Sequence, residues 1–70
     1  MDDQKKNEGT GTVLEALPNS QFRIELPDGR VILAYLSGKM RMHHIKVLVG
    51  DTVGMVLDDY GERGRIIKRI

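Results

Sequence analysis

The sequence predicts a small all-β domain in which five short strands close into a barrel. Short segments alternate between apolar and polar side chains, which is typical of half-buried strands. No apolar pattern of helical period runs far enough for a helix bundle. Five short strands in about 60 residues are too few for two packed sheets, whereas a sheet that closes on itself leaves no exposed edge.

The first half of the chain predicts three strands. Residues 10–17, TGTVLEAL, are rich in β-branched side chains and end at a Pro-Asn-Ser turn. Residues 21–26, QFRIEL, alternate cleanly, with Phe22 on the apolar face. A Pro-Asp-Gly turn then leads into residues 30–36, RVILAYL. The second and third strands are therefore predicted to form a hairpin.

The second half predicts a short helical piece and two more strands. Ser37 is a candidate N-cap for one or two helical turns within SGKMRMHHI. A Gly-Asp turn precedes the fourth strand, in which Val53, Met55 and Leu57 share one face. After a YGERG loop, residues 65–70, RIIKRI, form the fifth strand. A helical piece between strands three and four is the order of the OB-fold, which often binds nucleic acid.

The composition indicates one domain with a polar segment before it. Seventy residues make a single small domain. The opening MDDQKKNE has no apolar residue after Met1, so residues 1–8 are predicted to be a flexible tail and residues 9–70 the barrel. There is no cysteine for a disulfide, and no apolar run approaches the roughly 20 residues of a membrane span. A cytoplasmic protein without a membrane segment is expected.

Positive charge is concentrated in one central segment although the net charge is only +1. Residues 37–46, SGKMRMHHIK, contain Lys39, Arg41 and Lys46 and no acidic residue. Arginine can hold a phosphate through two hydrogen bonds, and lysine acts as a point charge. The segment is therefore a candidate phosphate-binding site, with an ordinary solvated loop as the alternative.

A second basic cluster, near the C-terminus, comprises Arg63, Arg65, Lys68 and Arg69. Strand alternation predicts Arg65 and Arg69 on one face and Lys68 on the other. Arg63 follows Glu62 in the predicted loop and is expected to balance its charge. A fold that joined the two basic clusters would present a face for phosphate groups.

His43 and His44 are the remaining candidates for chemistry. A zinc site needs three or four ligands, and the sequence offers no cysteine or third histidine, so no metal and no cofactor are predicted. Stacking on a base, a phosphate contact or simple exposure are the roles left open. No serine, histidine and acid can be placed together from the sequence, so an enzyme is not expected.

Aromatic residues are scarce, since Phe22, Tyr35 and Tyr60 are the complete set. Phe22 is predicted to lie in the core, while Tyr35 could face either way. Binders of single strands commonly stack bases on several exposed aromatic rings. The scarcity therefore favours recognition of structured RNA through shape and charge.

The stretch GTVLEALPNSQFRIELPDGRVILAYLSGKMR, followed by IKVLVGDTV and GRI, resembles bacterial-type translation initiation factor one over residues 11–67. The resemblance implies an S1-like OB barrel that binds the A site of the small ribosomal subunit, through ribosomal RNA and a neighbouring ribosomal protein. It also implies action with initiation factors two and three, as a monomer without cofactor, in the bacterial cytoplasm or an organellar stroma. A general RNA chaperone or single-strand RNA-binding protein, and a protein-interaction module, are the alternatives.

The resemblance also implies which residues contact RNA. Lys39, Met40 and Arg41 lie in the SGKMR motif. Arg23 lies in FRIEL and Arg65 in GRI. The complete expected set is Lys39, Arg41, Arg65, Arg23, Lys46, Met40, His43, His44 and Arg69.

The sequence departs from the family pattern in four places, one of which is a short YGERG loop before GRI. Met42-His43-His44 follows SGKMR, and Tyr35 stands where histidine is common. The segment KKNEG lacks the apolar residue that often precedes the first strand, so a late or weakened first strand is expected.

Overall fold

The computed structural model describes residues 8–70, in which the chain forms five strands and one short helix. In chain order these are β1 (Glu8–Leu17), β2 (Gln21–Glu25), β3 (Val31–Leu36), α1 (Gly38–Met42), β4 (Thr52–Leu57) and β5 (Arg63–Arg69). The predicted tail, residues 1–8, lies outside the described residues except for Glu8. No helix within residues 8–70 is long and apolar enough to cross a membrane.

The strands close into a barrel in the order β1-β2-β3-β5-β4. All neighbouring strands pair in antiparallel fashion except β3 and β5, which are parallel. Because parallel neighbours cannot be joined by a tight turn, the chain leaves β3, passes through α1 and β4, and returns as β5. The predicted five-stranded barrel with a short helix between strands three and four is confirmed.

The barrel interior is filled by the apolar face that each strand turns inward. Phe22 and Ile24 of β2 lie opposite Ala34 and Ile32 of β3, and the clean alternation of β2 predicts that Phe22 faces inward. The turn between them has Gly29 at φ 93°, a backbone conformation that favours glycine. The core comprises Val13, Phe22, Ile24, Leu26, Ile32, Ala34, Met40, Val47, Val53, Met55 and Ile66.

Two strands begin earlier than the sequence predicts. β1 starts at Glu8, which pairs with Val56 of β4, so the expected late start of this strand is wrong. β5 starts at Arg63, which pairs with Leu33 of β3, so Arg63 belongs to the strand and not to the predicted loop. In both places the neighbouring strand extends far enough to supply hydrogen-bond partners, which local sequence does not reveal.

A bulge in β5 corrects the predicted faces of the C-terminal basic residues. Lys68 pairs with Gly54 and Ile66 pairs with Met55, which leaves Ile67 as an extra residue between them. An extra residue shifts the alternation by one position. Arg65 and Lys68 therefore lie on the outer face of the barrel, and Arg69 lies on the other face.

Substitutions of Phe22 test the packing of the core. It is 7% exposed, so Phe22→Ala is expected to lower the free energy of unfolding by about 3–5 kcal/mol, through lost burial and the cavity that remains. Phe22→Leu keeps most of the volume and is expected to cost about 1 kcal/mol. Chemical denaturation monitored by circular dichroism measures both variants.

The matched control for Phe22 is Tyr60→Ala, because Tyr60 is 82% exposed. Its removal is expected to change the free energy of unfolding by less than about 0.5 kcal/mol. Equal midpoints for Phe22→Ala and Tyr60→Ala would contradict the inward placement of the Phe22 ring.

Candidate nucleic-acid interface

The chain from Ser37 to Asp51 connects β3 to β4 and is called the crossover segment below. Its start is fixed by two hydrogen bonds. The Ser37 N–H donates to the carbonyl oxygen of Ile66 at 2.9 Å, which ties the segment to β5. The Ser37 hydroxyl oxygen accepts from the Met40 N–H at 3.2 Å, so the predicted N-cap is confirmed.

Met40 holds α1 against the barrel. Its side chain is 2% exposed and belongs to the core, so the expectation that Met40 contacts RNA is corrected. The reason is helical geometry, since neighbouring residues point about 100° apart around a helix axis. Burying Met40 turns its neighbours Lys39 and Arg41 toward solvent, where both are exposed.

The helix ends in a Schellman motif. The Ile45 N–H donates to the Met40 carbonyl oxygen, and the His44 N–H donates to the Arg41 carbonyl oxygen, each at 3.1 Å. His44 takes the left-handed position, with φ 55°, where glycine is usual. The two histidines therefore form the end of the helix. His43 is the C-cap residue, and His44 follows it.

The rest of the crossover segment is fastened by Asp51 and by one buried side chain. The Asp51 carboxylate accepts a hydrogen bond from the Leu48 N–H at 2.8 Å. The Asp51 carbonyl oxygen accepts from the Val13 N–H of β1 at 2.9 Å. Val47 is 7% exposed and packs in the core. The segment is thus anchored at its start, middle and end.

The cations of the crossover segment are exposed and lack acidic partners. Lys39, Arg41 and Lys46 are all exposed, and none of them forms an ion pair within residues 8–70. Their charge is therefore available to an external anion. His43 and His44 are exposed on the same segment.

Two other expected site residues form ion pairs with carboxylates. Arg23 Nε lies 3.1 Å from Glu15, and Arg69 Nε lies 3.5 Å from Asp51. Exposed pairs of this kind contribute little stability, but they offset the local charge. Arg23 and Arg69 are therefore weaker candidates than the cations of the crossover segment.

β5 brings the two basic clusters together. The crossover segment begins beside Ile66, through the Ser37 hydrogen bond, and ends at Asp51, which pairs with Arg69. β5 therefore runs alongside both ends of the segment. Arg65 lies next to Ile66 on this strand, and no ion pair within residues 8–70 involves it.

Sequence reasoning missed the surroundings of Arg65. Tyr35 pairs with Arg65 across β3 and β5, and the Tyr35 side chain is 45% exposed on the outer face. The segment VILAYL is apolar throughout and carries no such signal. The burial of Ile32 and Ala34 in the barrel is what turns Tyr35 outward.

Neither histidine belongs to a metal-binding cluster among the described residues. Within residues 8–70, no group of three or more histidine, cysteine or acidic side chains is placed to hold a metal ion. His43 and His44 follow each other at the helix end, and of the two only His44 has a positive φ.

A closed barrel of five strands in this order, with a short helix between the third and fourth, defines an OB-fold protein. Cations that lie exposed on the crossover segment, without acidic partners among residues 8–70, are typical of a nucleic-acid-binding member of that class. A family model described as eIF-1a: Translation initiation factor 1A / IF-1 matches residues 1–70. The chain belongs to this family of translation initiation factors.

Solved structures agree with the family match. The solution structure of translation initiation factor one from the Wolbachia endosymbiont strain TRS of Brugia malayi is 34% identical, with a TM-score of 0.74. That match covers 99% of this chain and 85% of the other. The crystal structure of YjeQ from Thermotoga maritima is 30% identical, with a TM-score of 0.72, and the match covers 90% of this chain but 22% of that chain.

Substitution of His44 tests the assigned helix end through the stability of the protein, without a binding measurement. Because glycine adopts a positive φ without steric cost, His44→Gly is expected to raise the free energy of unfolding by about 1 kcal/mol. The matched control is His43→Gly, since His43 has φ −93° and glycine there brings only its entropic cost. Chemical denaturation distinguishes the two, and a destabilised His44→Gly would contradict the assigned helix end.

Proposed function

We propose that this initiation factor binds the A site of the small ribosomal subunit through ribosomal RNA and acts there with initiation factors two and three. The observation that carries the proposal is the crossover segment. Three cations without acidic partners among residues 8–70 project from a backbone that is anchored at its start, middle and end. The family match supports the assignment to translation initiation.

The crossover segment suits phosphate binding because its cations are presented rigidly. Lys39 and Arg41 lie on one short helix whose first turn is capped and whose inner face is buried. Little backbone freedom is then lost on binding, which favours affinity. Each phosphate that a cation neutralises also releases counterions from the RNA.

The expected contacts fall into three groups. Lys39, Arg41 and Arg65 are the principal phosphate or base-edge contacts, followed by Lys46. His43 and His44 lie beside them and can stack on a base or donate to a phosphate. Arg23 and Arg69 contribute less, because each would exchange a carboxylate partner for a phosphate.

The action of the protein requires no chemical step by its side chains. Binding favours the RNA conformation that fits the crossover segment, which is a shift of population. Occupation of the A site excludes elongator tRNA by steric overlap. The barrel carries these contacts, and the protein acts as a monomer at the sites of translation initiation, in a cytoplasm or an organellar stroma.

Contact with a neighbouring ribosomal protein would use the apolar part of the same segment. Met42 is 71% exposed, Leu48 61% and Val49 62%. Such side chains are unusual on an isolated surface loop but suit the centre of a protein interface.

The experiment that tests the function is equilibrium binding to purified small ribosomal subunits across a salt series, with unstructured single-stranded RNA as competitor. Binding that weakens with salt, resists the competitor and is displaced by tRNA in the A site supports the proposal. Equal binding to the competitor would favour a general RNA chaperone instead. Binding that ignores salt would favour a protein-interaction module.

Substitution of Lys39 and Arg41 tests whether their charges contribute to subunit binding. The double variant Lys39→Ala/Arg41→Ala is expected to weaken subunit binding and to reduce the slope of log affinity against log salt by about two. The thermal midpoint is expected to stay near that of the parent protein, because both side chains are exposed.

The matched control compares Arg41→Ala with Arg30→Ala. Both variants lose one positive charge, but Arg30 lies in the β2–β3 turn, 3.0 Å from Asp28. Arg41→Ala is expected to lower the salt slope by about one and Arg30→Ala to leave it unchanged. Equal slopes for the two variants would mean that net charge, and not the crossover segment, governs binding.

A further inference from the structure

His44 lies on the rim of a groove between the crossover segment and the barrel. The groove has a volume of about 400 Å³. β2 and β3 contribute Phe22 and Leu36 to it, which do not ionise, and its charged side chains are Arg41 and Lys46. His44 is exposed, and its backbone N–H donates to the Arg41 carbonyl oxygen at 3.1 Å. The backbone that carries the imidazole is therefore fixed beside two cations.

The surroundings of His44 contain no free carboxylate. Among residues 8–70, no acidic side chain lines the groove. Asp51 is the only acidic residue of the crossover segment. Its carboxylate accepts from the Leu48 N–H at 2.8 Å and lies 3.5 Å from Arg69 Nε. An anion that pairs with a protonated His44 in the groove therefore has to come from a ligand.

His43 provides a comparison within the same segment. It is exposed like His44 and directly precedes it, but it is not one of the residues that line the groove with Arg41 and Lys46. These two residues are the only histidines of the chain. Histidine is the side chain whose charge ordinarily changes between pH 5 and 8. Of the two, His44 is the one placed to add a charge to the cations of the groove.

A phosphate group distinguishes the two protonation states of an imidazole. The phosphodiester oxygens of RNA accept hydrogen bonds, and neutral imidazole offers them one donor nitrogen and one acceptor nitrogen. Protonated imidazole offers two donors and a positive charge, and a nearby negative charge favours this form. Binding of a phosphate beside the ring is therefore coupled to uptake of a proton wherever the free ring is mostly neutral.

We propose that His44 couples RNA binding to proton uptake, so that the affinity of the crossover segment for RNA rises as the pH falls. The inference rests on the proposed function, because it assumes that the RNA of the small subunit is the ligand. The complex then holds more protons than its free components, so a rise in pH through the range of histidine weakens it. Lysine and arginine ordinarily keep their charge over this range, so the other cations of the segment supply affinity that does not depend on pH.

The test measures the affinity of the protein for purified small ribosomal subunits from about pH 5.5 to about pH 8, the range in which histidine titrates. The parent protein is expected to bind about tenfold more tightly at the lower end, through uptake of up to about one proton. Its log affinity is also expected to fall more steeply with log salt there, because the protonated ring neutralises one more phosphate.

The decisive variant is His44→Asn, which removes the titrating ring. Asparagine tolerates the left-handed backbone at this position, where φ is 55°. The variant is expected to bind within about twofold of the parent at the upper end of the pH range and to lose the gain at the lower end. Groups of the subunit that titrate contribute equally to both proteins, so the difference between the two pH profiles isolates His44.

The matched control is His43→Asn, which removes the neighbouring exposed ring and is expected to keep the pH dependence of the parent. Circular dichroism checks that both variants fold. His44→Gly, which removes the same ring and suits the same backbone, serves as a second variant and is expected to give the pH profile of His44→Asn.

Calorimetry provides a readout that a merely structural role of His44 would not change. Heats of binding measured at one pH in buffers of different ionisation enthalpy give the number of protons taken up. Near neutral pH, the parent is expected to take up a fraction of a proton more than His44→Asn.

The outcomes separate the two proposals. If Lys39→Ala/Arg41→Ala loses affinity while the parent binds equally at every pH, the proton coupling is overturned and the proposed function stands. If His44→Asn keeps the pH dependence of the parent, or if His43→Asn loses it, the assignment to His44 is overturned. If the parent protein does not bind the subunit at any pH, both proposals fail.

Discussion

The parallel pairing of β3 with β5 is the constraint on which the rest of the structure depends. Parallel neighbours need a long connection, so the chain must leave β3 and travel to β4 before it can return. The crossover segment is the first part of that connection. It begins with a hydrogen bond from the Ser37 N–H to the carbonyl oxygen of Ile66 in β5. The same pairing sets Arg65 beside Tyr35. Closure of the barrel therefore creates the cationic segment and sets Arg65 of β5 beside its start.

The anchoring of the crossover segment decides which charges are available. Met40 and Val47 are buried, and Asp51 uses its carboxylate for the Leu48 N–H and for Arg69. The Asp51 carboxylate, at the end of the crossover segment, therefore already has partners. Lys39 and Arg41, at the start of the segment, face solvent. The exposed cations project from a backbone that is already anchored, so the fold, and not the net charge of +1, determines where positive charge is presented.

Alternation predicted the inward faces of β2 and β4 correctly, because half-buried strands follow a period of two. The β3 segment VILAYL is apolar throughout, so its sequence left the direction of Tyr35 open. It failed in β5, where the extra residue Ile67 shifts Lys68 to the outer face and Arg69 to the other. A bulge depends on the neighbouring strand, which local sequence does not contain. The acid-free segment located the exposed Lys39 and Arg41, but residue type alone could not show that Met40 between them points into the core.

Contacts to phosphate position a protein on RNA without reading its sequence, and the exposed cations of the crossover segment suit that task. β5 lies against the start of this segment through the hydrogen bond of Ser37 to Ile66, and the same strand carries Arg65. The two basic clusters of the sequence therefore lie side by side in the fold, so that a single RNA surface can meet both.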